Sequence, residues 1–353
     1  MIARMIAQQA VHHAEDIAKN QENKQVAKQE PESTVRVVEA EQIQPRNLDE
    51  KKPALPAATM MNKIEMAFNW WSRIEPDYAT LGALWAASTW FTDGDPDHPK
   101  LLFDAHPRLF PIGKKGSGKT QYMKITRAMS RNPTGIVKAP VTAPGLREAL
   151  HSGRTVFLDE YDRQTGRGMA HLDVQSVVSA YEADTGSLNA VGGVNEQNLF
   201  GPMMLAAKDG ILTQTNGHLE DLFERSFIVP TVKHADPNDP IPDFDDDFNE
   251  ITAAFSRGLK MWSAALRPEP GKKLRPIHSV PKDLTARMRQ ISLPLLAVAD
   301  RAVDPAVIRA EGEDLRWAIK ARSAVKNVLL GHGNDGPSIM EDISERFARL
   351  GIG

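Results

Sequence analysis

Gly113, Gly116, Ser117, Gly118, Lys119 and Thr120 fall within one short run, "GKKGSGKT", between the apolar segment "RLFPI" and the helix-like "QYMKITRAM". Glycines at that spacing let a backbone fold back on itself and aim successive N–H groups at an anion, and the following helix adds its positive end. The run fits the phosphate-binding pattern G-x-x-x-x-G-K-[ST], in which the lysine bridges β- and γ-phosphate oxygens and the hydroxyl ligates Mg²⁺. Lys119 and Thr120 take those two roles. Average residue frequencies produce the pattern by chance in about one chain of this length in a hundred. The chemistry implied is phosphate chemistry on ATP with Mg²⁺.

Such a site needs an acid at the end of a buried strand to hold the metal, and "TVFLDE" supplies it at Asp159. Glu160, next in line, is placed to polarise a water for attack on the γ-phosphate, which points to hydrolysis and not to transfer onto a metabolite. Arg225, in "LFERSFIV", stands at the mouth of an apolar strand, the place from which a ring-forming ATPase reaches a neighbour's γ-phosphate. Arg287, in "LTARMRQISLPLL", opens a helix of the C-terminal part and is expected to sense the γ-phosphate in cis. Lys208, closing "MMLAAK", occupies the position of a polar residue between the two acids and the phosphate.

The surrounding elements must present these groups. Residues 1–58 turn rich in Gln, Glu, Lys and Pro after a short amphipathic stretch and read as a disordered or partly helical arm. Its adjacent His12 and His13 diverge on a helix and read as solvated. From Met60 the chain becomes densely apolar and helical, with Trp70, Trp71, Trp85 and Trp90 expected in a core. Residues 59–232 then alternate strands and helices, with a hairpin expected around Gly192 and Gly193, and predict a three-layer α/β fold with a mainly parallel sheet. An acidic, Pro-rich joint follows at 233–250. Residues 251–353 read as a helical lid or C-terminal domain.

The segments "YATLGALWAASTW", "HPRLFPIGKKGSGKT", "TVFLDEYD", "LEDLFERSFIV" and "ISLPLLAVADRA" follow one another as in a family of phage- and plasmid-borne P-loop ATPases, a domain of unknown function often described as a helicase or primase-helicase component. The chain resembles that family from about Trp71 to about Leu330. The resemblance implies a P-loop NTPase core of AAA+ or RecA-like kind, with N-terminal helices and a C-terminal helical lid. It also implies a nucleotide site at Lys119, Thr120, Asp159 and Glu160, with Arg225 and Arg287 at the family's two arginine positions. This chain departs from the family in the extra lysines of its loop and in "AAKDG", which replaces a glycine-rich turn.

Composition narrows the function classes. The 353-residue chain carries no cysteine, which removes disulfides, thiolate catalysis and Cys-based zinc sites. No run approaches the ~18 apolar residues of a membrane span, and a protein of the bacterial host cytoplasm is expected. A net charge of −3 means that nucleic acid must be met by local basic patches, such as "RPEPGKKLRPIHSVPKDLTARMR" and "YDRQTGRG". Two readings follow. One is a helicase or translocase acting on DNA, single strands favoured, as a homo-oligomeric ring. The other is an ATP-switched assembly or loader factor that holds a protein partner through residues 1–58. A packaging motor would need a nuclease acid cluster, and a primase would need a zinc ribbon or a separate acidic triad; the sequence offers neither.

Overall fold

The computed structural model describes residues 55–95, 99–137, 143–164, 177, 180–183, 187–189, 196–213, 217–234 and 240–330. Its strands are β1 (Arg108–Ile112), β2 (Pro133–Val137), β3 (Thr155–Leu158), β4 (Ser187–Asn189), β5 (Glu196–Asn198), β6 (Met203–Leu205) and β7 (Ser226–Pro230). Five of them make one sheet in the order β2-β3-β6-β1-β7, and every pairing in it is parallel. Strands β1, β3, β6 and β7 are buried along their whole length, which is why they read as continuous apolar runs and not as alternating ones.

Successive side chains still leave the sheet on opposite faces. Leu109, Phe157, Met204 and Phe227 enter one core, and Phe110, Val156, Leu158, Met203 and Ile228 enter another. Helices cover both faces. In chain order they are α1 (Ala57–Ser72), α2 (Pro76–Ser88), α3 (Lys119–Met129), α4 (Ala143–His151), α5 (Tyr161–Gln164), α6 (Gly217–Glu224), α7 (Asp246–Ala265), α8 (Ala286–Ala299), α9 (Pro305–Glu311) and α10 (Arg316–Leu330). The core of Leu109 and Phe157 is completed by α1, α2, α3, α7, α8 and α10, and that of Phe110 and Leu158 by α4 and α6. The three-layer expectation is met.

Helix α2 is apolar all round because it is buried all round: every residue from Tyr78 to Ser88 is inside. Pro76 starts it where a missing N–H costs least, and Gly82 lets Phe68 and the Tyr122 hydroxyl approach its backbone. Tyr122 donates to Tyr78 O at 2.8 Å, and Trp85 Nε1 donates to Pro107 O at 2.8 Å, so α2 is tied both to α3 and to the entry of β1. Trp85 and Trp71 lie in the core as expected, and Trp90 is partly buried against it. Trp70 does not; it is 54% exposed, with the Arg73 guanidinium 4.9 Å above its ring. Consecutive residues on a helix point about 100° apart, so only one of the two adjacent tryptophans can face inward.

The acidic joint ends earlier than its composition suggests. Asp245 caps α7 by accepting the Phe248 N–H at 2.9 Å, and Asp246 and Asp247 occupy the first turn, where the helix dipole favours them. Beyond it, α8 and α10 pack against α2, sharing its core. The last helical stretch is broken into α9 and α10: Gly312 turns the chain at φ 87°, and Asp314 accepts the Asp304 N–H at 2.8 Å and the Arg316 side chain. Among the described residues no helix is long and apolar enough to cross a membrane. Residues 1–54 of the arm and the turn at Gly192 and Gly193 lie outside the described residues; the arm's last two residues, Ala57 and Ala58, already belong to α1, and β4 and β5 form the antiparallel arms of the expected hairpin.

Candidate functional site

Strand β1 ends at Ile112, α3 begins at Lys119, and residues 113–118 turn between them. Gly116 (φ 81°) and Gly118 (φ 94°) both take left-handed backbone, which a side chain disfavours. Gly113 is needed for closeness instead: a Cβ there would stand 2.3 Å from Thr231 O and 2.7 Å from Ser117 Oγ. Thr231, just past β7, donates its N–H to Ile112 O at 2.8 Å and its hydroxyl to the same oxygen at 3.1 Å. That leaves Ser117 Oγ as donor to Thr231 Oγ1, 2.7 Å away. The loop is thus seated against the end of the neighbouring strand.

Lys119 folds back over this loop, its Nζ donating to Gly113 O at 2.6 Å and Lys114 O at 2.7 Å. Partial burial pulls its pKa below the ordinary lysine value; Asp159, Asp162 and Asp209 oppose the shift, and Lys208 adds to it. On the next residue, Thr120 Oγ1 donates to Asp159 Oδ2 at 2.9 Å. The sheet order makes that contact possible. Asp159 follows β3, Thr120 follows β1, and the short strand β6 runs between them, with Gly113 N–H reaching Ala207 O at 3.4 Å. All these groups gather at the carboxyl edge of a parallel sheet, where α/β proteins bind their ligands.

Glu160 sits in left-handed backbone at φ 55°, uncommon for a residue with a side chain, and its N–H donates to Asp159 Oδ1 at 2.9 Å. Tyr161 N–H then bonds to Ala206 O at 2.8 Å, so the turn after β3 is held from both sides. Lys208 follows β6, and its N–H donates to Asp162 Oδ1 at 3.2 Å. The pair Thr120 and Asp159 offers one hydroxyl and one carboxylate oxygen, a donor set suited to Mg²⁺, which keeps most of its shell for water and phosphate. Among the described residues no group of three or more His, Cys, Asp and Glu side chains is gathered for a metal.

The two arginines are not brought to this loop. Arg225 immediately precedes β7, whose first residue pairs with Arg108 at the start of β1, so it lies at the amino edge of the sheet. The five residues of β1 separate it from Gly113 by about 17 Å, more than an arginine side chain spans. Arg225 Nη1 donates to Asp221 O at 2.7 Å and lies 3.3 Å from the Asp221 carboxylate. Arg287, expected at the γ-phosphate in cis, is at the same far edge: its Nη1 is 3.1 Å from Glu182 Oε1, and Glu182 bridges to Ala105 ahead of β1. Its position on α8 said nothing about which sheet edge that helix would meet.

No family model matches the chain, and no curated protein matches it in sequence. The structure adds groups that the motifs left out. Asp162 and Asp209 enter the field of Lys119, and Thr231 buttresses the loop. Asp162 had a signal, lying three residues beyond Asp159 in the same acidic run; Thr231 had none, because its importance comes from strand order.

Proposed function

We propose that this chain is a Mg²⁺-dependent ATPase with a P-loop core that works as a nucleic-acid motor, a helicase or translocase of a phage or related element. The observation that carries the reading is the 2.9 Å bond from Thr120, one residue beyond Lys119, to Asp159 at the end of another buried strand. A glycine turn serving structure alone has no need of a lysine, a hydroxyl and a buried carboxylate converging on one sheet edge.

In this reading the N–H groups of the glycine turn and the first turn of α3 hold phosphate oxygens, and Lys119 exchanges loop carbonyls for them. Thr120 and Asp159 hold Mg²⁺, which when bound neutralises charge on the β- and γ-oxygens. Glu160 orients the attacking water and takes its proton. Lys208 and Lys119 add positive charge where negative charge grows. Arg225, out of reach of its own loop, serves the site of a neighbouring copy, which makes the active form an oligomer.

The motor half of the reading is supported by the antiparallel pair β4 and β5, which precedes β6 in the position of a pore hairpin, and by Lys272, Lys273 and Arg275 in the exposed link between α7 and α8. The test is ATP hydrolysis by the purified protein with Lys119→Ala as blank, titrated with single-stranded and then duplex DNA at fixed salt. Several-fold stimulation supports the motor. Steady turnover indifferent to DNA refutes it and favours the ATP-switched assembly factor. No turnover above the blank rejects the ATPase.

A further inference from the structure

Three arginines from distant parts of the chain converge at the amino edge of the sheet. Arg108 opens β1, Arg225 precedes β7, and Arg287 lies in the first turn of α8. The guanidinium of Arg225 stands 5.7 Å from the centre of the Tyr181 ring and that of Arg287 stands 5.6 Å from it, so one aromatic ring serves as a platform for both. The platform is anchored: Tyr181 is buried, its carbonyl accepts the His106 N–H at 3.0 Å, and Ala183 N–H donates to Asp104 O at 2.8 Å.

Bringing like charges together costs free energy unless something repays it. Arg108 is spent on structure; it is fully buried and donates to Gly201 O at 2.7 Å and Val177 O at 3.0 Å. Arg225 and Arg287 are different. Their side chains keep 17% and 34% of their surface in solvent, and each is matched by an exposed or half-exposed acid, Asp221 and Glu182 respectively. Gln290 joins the pair, its amide nitrogen donating to Glu182 at 2.9 Å and its oxygen accepting from Arg287 at 2.8 Å, so Glu182 keeps one donor if the arginine moves. Each of the two exposed arginines is balanced by a single acid, and the third cation, Arg108, lies buried behind them on backbone carbonyls. An anion that carries more charge than one carboxylate can compete with Asp221 and Glu182 for this pair, and the loop at residues 113–118 of the same chain lies at the opposite edge of the sheet.

We propose that Arg287 acts in trans beside Arg225, the two arginines on Tyr181 forming the face that meets the nucleotide phosphates held by a second copy of this chain. The inference rests on the ATPase reading above and goes beyond it by moving Arg287 out of its own site. In a head-to-tail ring each copy then supplies a loop on one side and an arginine pair on the other. Because Arg287 belongs to α8, which packs on α2, the C-terminal helices take part directly in the neighbour's hydrolysis.

The test is complementation between subunits. Arg287→Ala carries an intact loop, and Glu160→Gln carries intact arginines but no base. Each alone is expected to lose at least about 100-fold in turnover per subunit. The two are co-expressed with different affinity tags and purified through both tags, so that every complex contains both. Trans action restores turnover to roughly a quarter of wild type, the share of sites in which an intact acid meets an intact arginine. Arg225→Ala with Glu160→Gln is expected to recover likewise. Arg287→Lys, which keeps the charge without the fork, guards against a folding artefact and is expected to retain more turnover than Arg287→Ala at an unchanged melting temperature. Wild-type turnover with no recovery in the Arg287 mixture overturns the trans assignment alone, as does full activity of Arg287→Ala or failure to isolate a doubly tagged complex. Absence of wild-type turnover removes the ATPase reading itself.

Discussion

Acid should destabilise this protein through His106, a residue far from the glycine turn at 113–118. His106 is completely buried between α2 and β1, its ring edge-on to Trp85 at 5.5 Å. Ser88 Oγ is 2.7 Å from Trp85 O, a pure acceptor, so its proton is committed there and it accepts from His106 Nε2–H at 2.8 Å. Nδ1 is left as a buried nitrogen with no partner. Burial, with a smaller contribution from the Arg108 charge, holds the pKa of His106 down from 6.5 to about 3. Between those two values the unfolded chain binds a proton that the folded chain refuses. Stability therefore rises with pH across this window and is lost as pH falls from 6.5 toward 3. Going from pH 7 to pH 4 should remove about 3 kcal/mol through this residue alone. The assay is urea unfolding at both pH values for wild type and His106→Gln, which does not titrate but keeps a donor for Ser88. Taking the difference between the two proteins cancels the carboxylates that titrate over the same range. Wild type should lose about 3 kcal/mol more than the variant. Parallel losses would show that His106 is solvated or already paired, and the burial argument would fall.

Two further predictions concern the loop and the C-terminal helices. Gly113→Ala forces a Cβ against the Thr231 carbonyl and should cost about 1–3 kcal/mol in thermal stability and weaken nucleotide binding; Gly210→Ala, with nothing near its Cβ, is the control expected to show neither. Arg322 grips the Asp300 carboxylate, whose side chain is fully buried, with bonds of 2.6 and 3.1 Å, joining α10 to the end of α8. Arg322→Ala should destabilise by about 2–3 kcal/mol, because the buried carboxylate loses its cation and keeps only the Ile277 and His278 N–H groups, and chemical denaturation reads this directly.

Much of the architecture was legible because its causes are local. Strands buried on both faces announce themselves as unbroken apolar runs, as at "TVFL" and "SFIV". The turn of residues 113–118 is legible because left-handed backbone favours glycine, and here glycine takes it at Gly116 and Gly118. The adjacency of Asp159 and Glu160 to a buried strand was equally plain. Other features were hidden for reasons that can be named. The inward or outward choice between Trp70 and Trp71 depends on which face of α1 meets α2. The capping role of Asp245 is masked by the acids around it, and the break between α9 and α10 turns on one glycine in an otherwise helical pattern.

The sequence by itself determined the chemistry on offer: a turn that can cradle an anion, a lysine and a hydroxyl behind it, an acid pair ending a strand, and arginines ahead of strands and helices. Only the tertiary structure decided which of these groups meet. The order β2-β3-β6-β1-β7 slots β6 between β1 and β3 and still lets Thr120 reach Asp159, puts Thr231 under Gly113, and sends Arg225 and Arg287 together to the far edge. Sheet order emerges from crossover connections that bury two cores at once, a property of the whole chain that no short stretch of residues encodes.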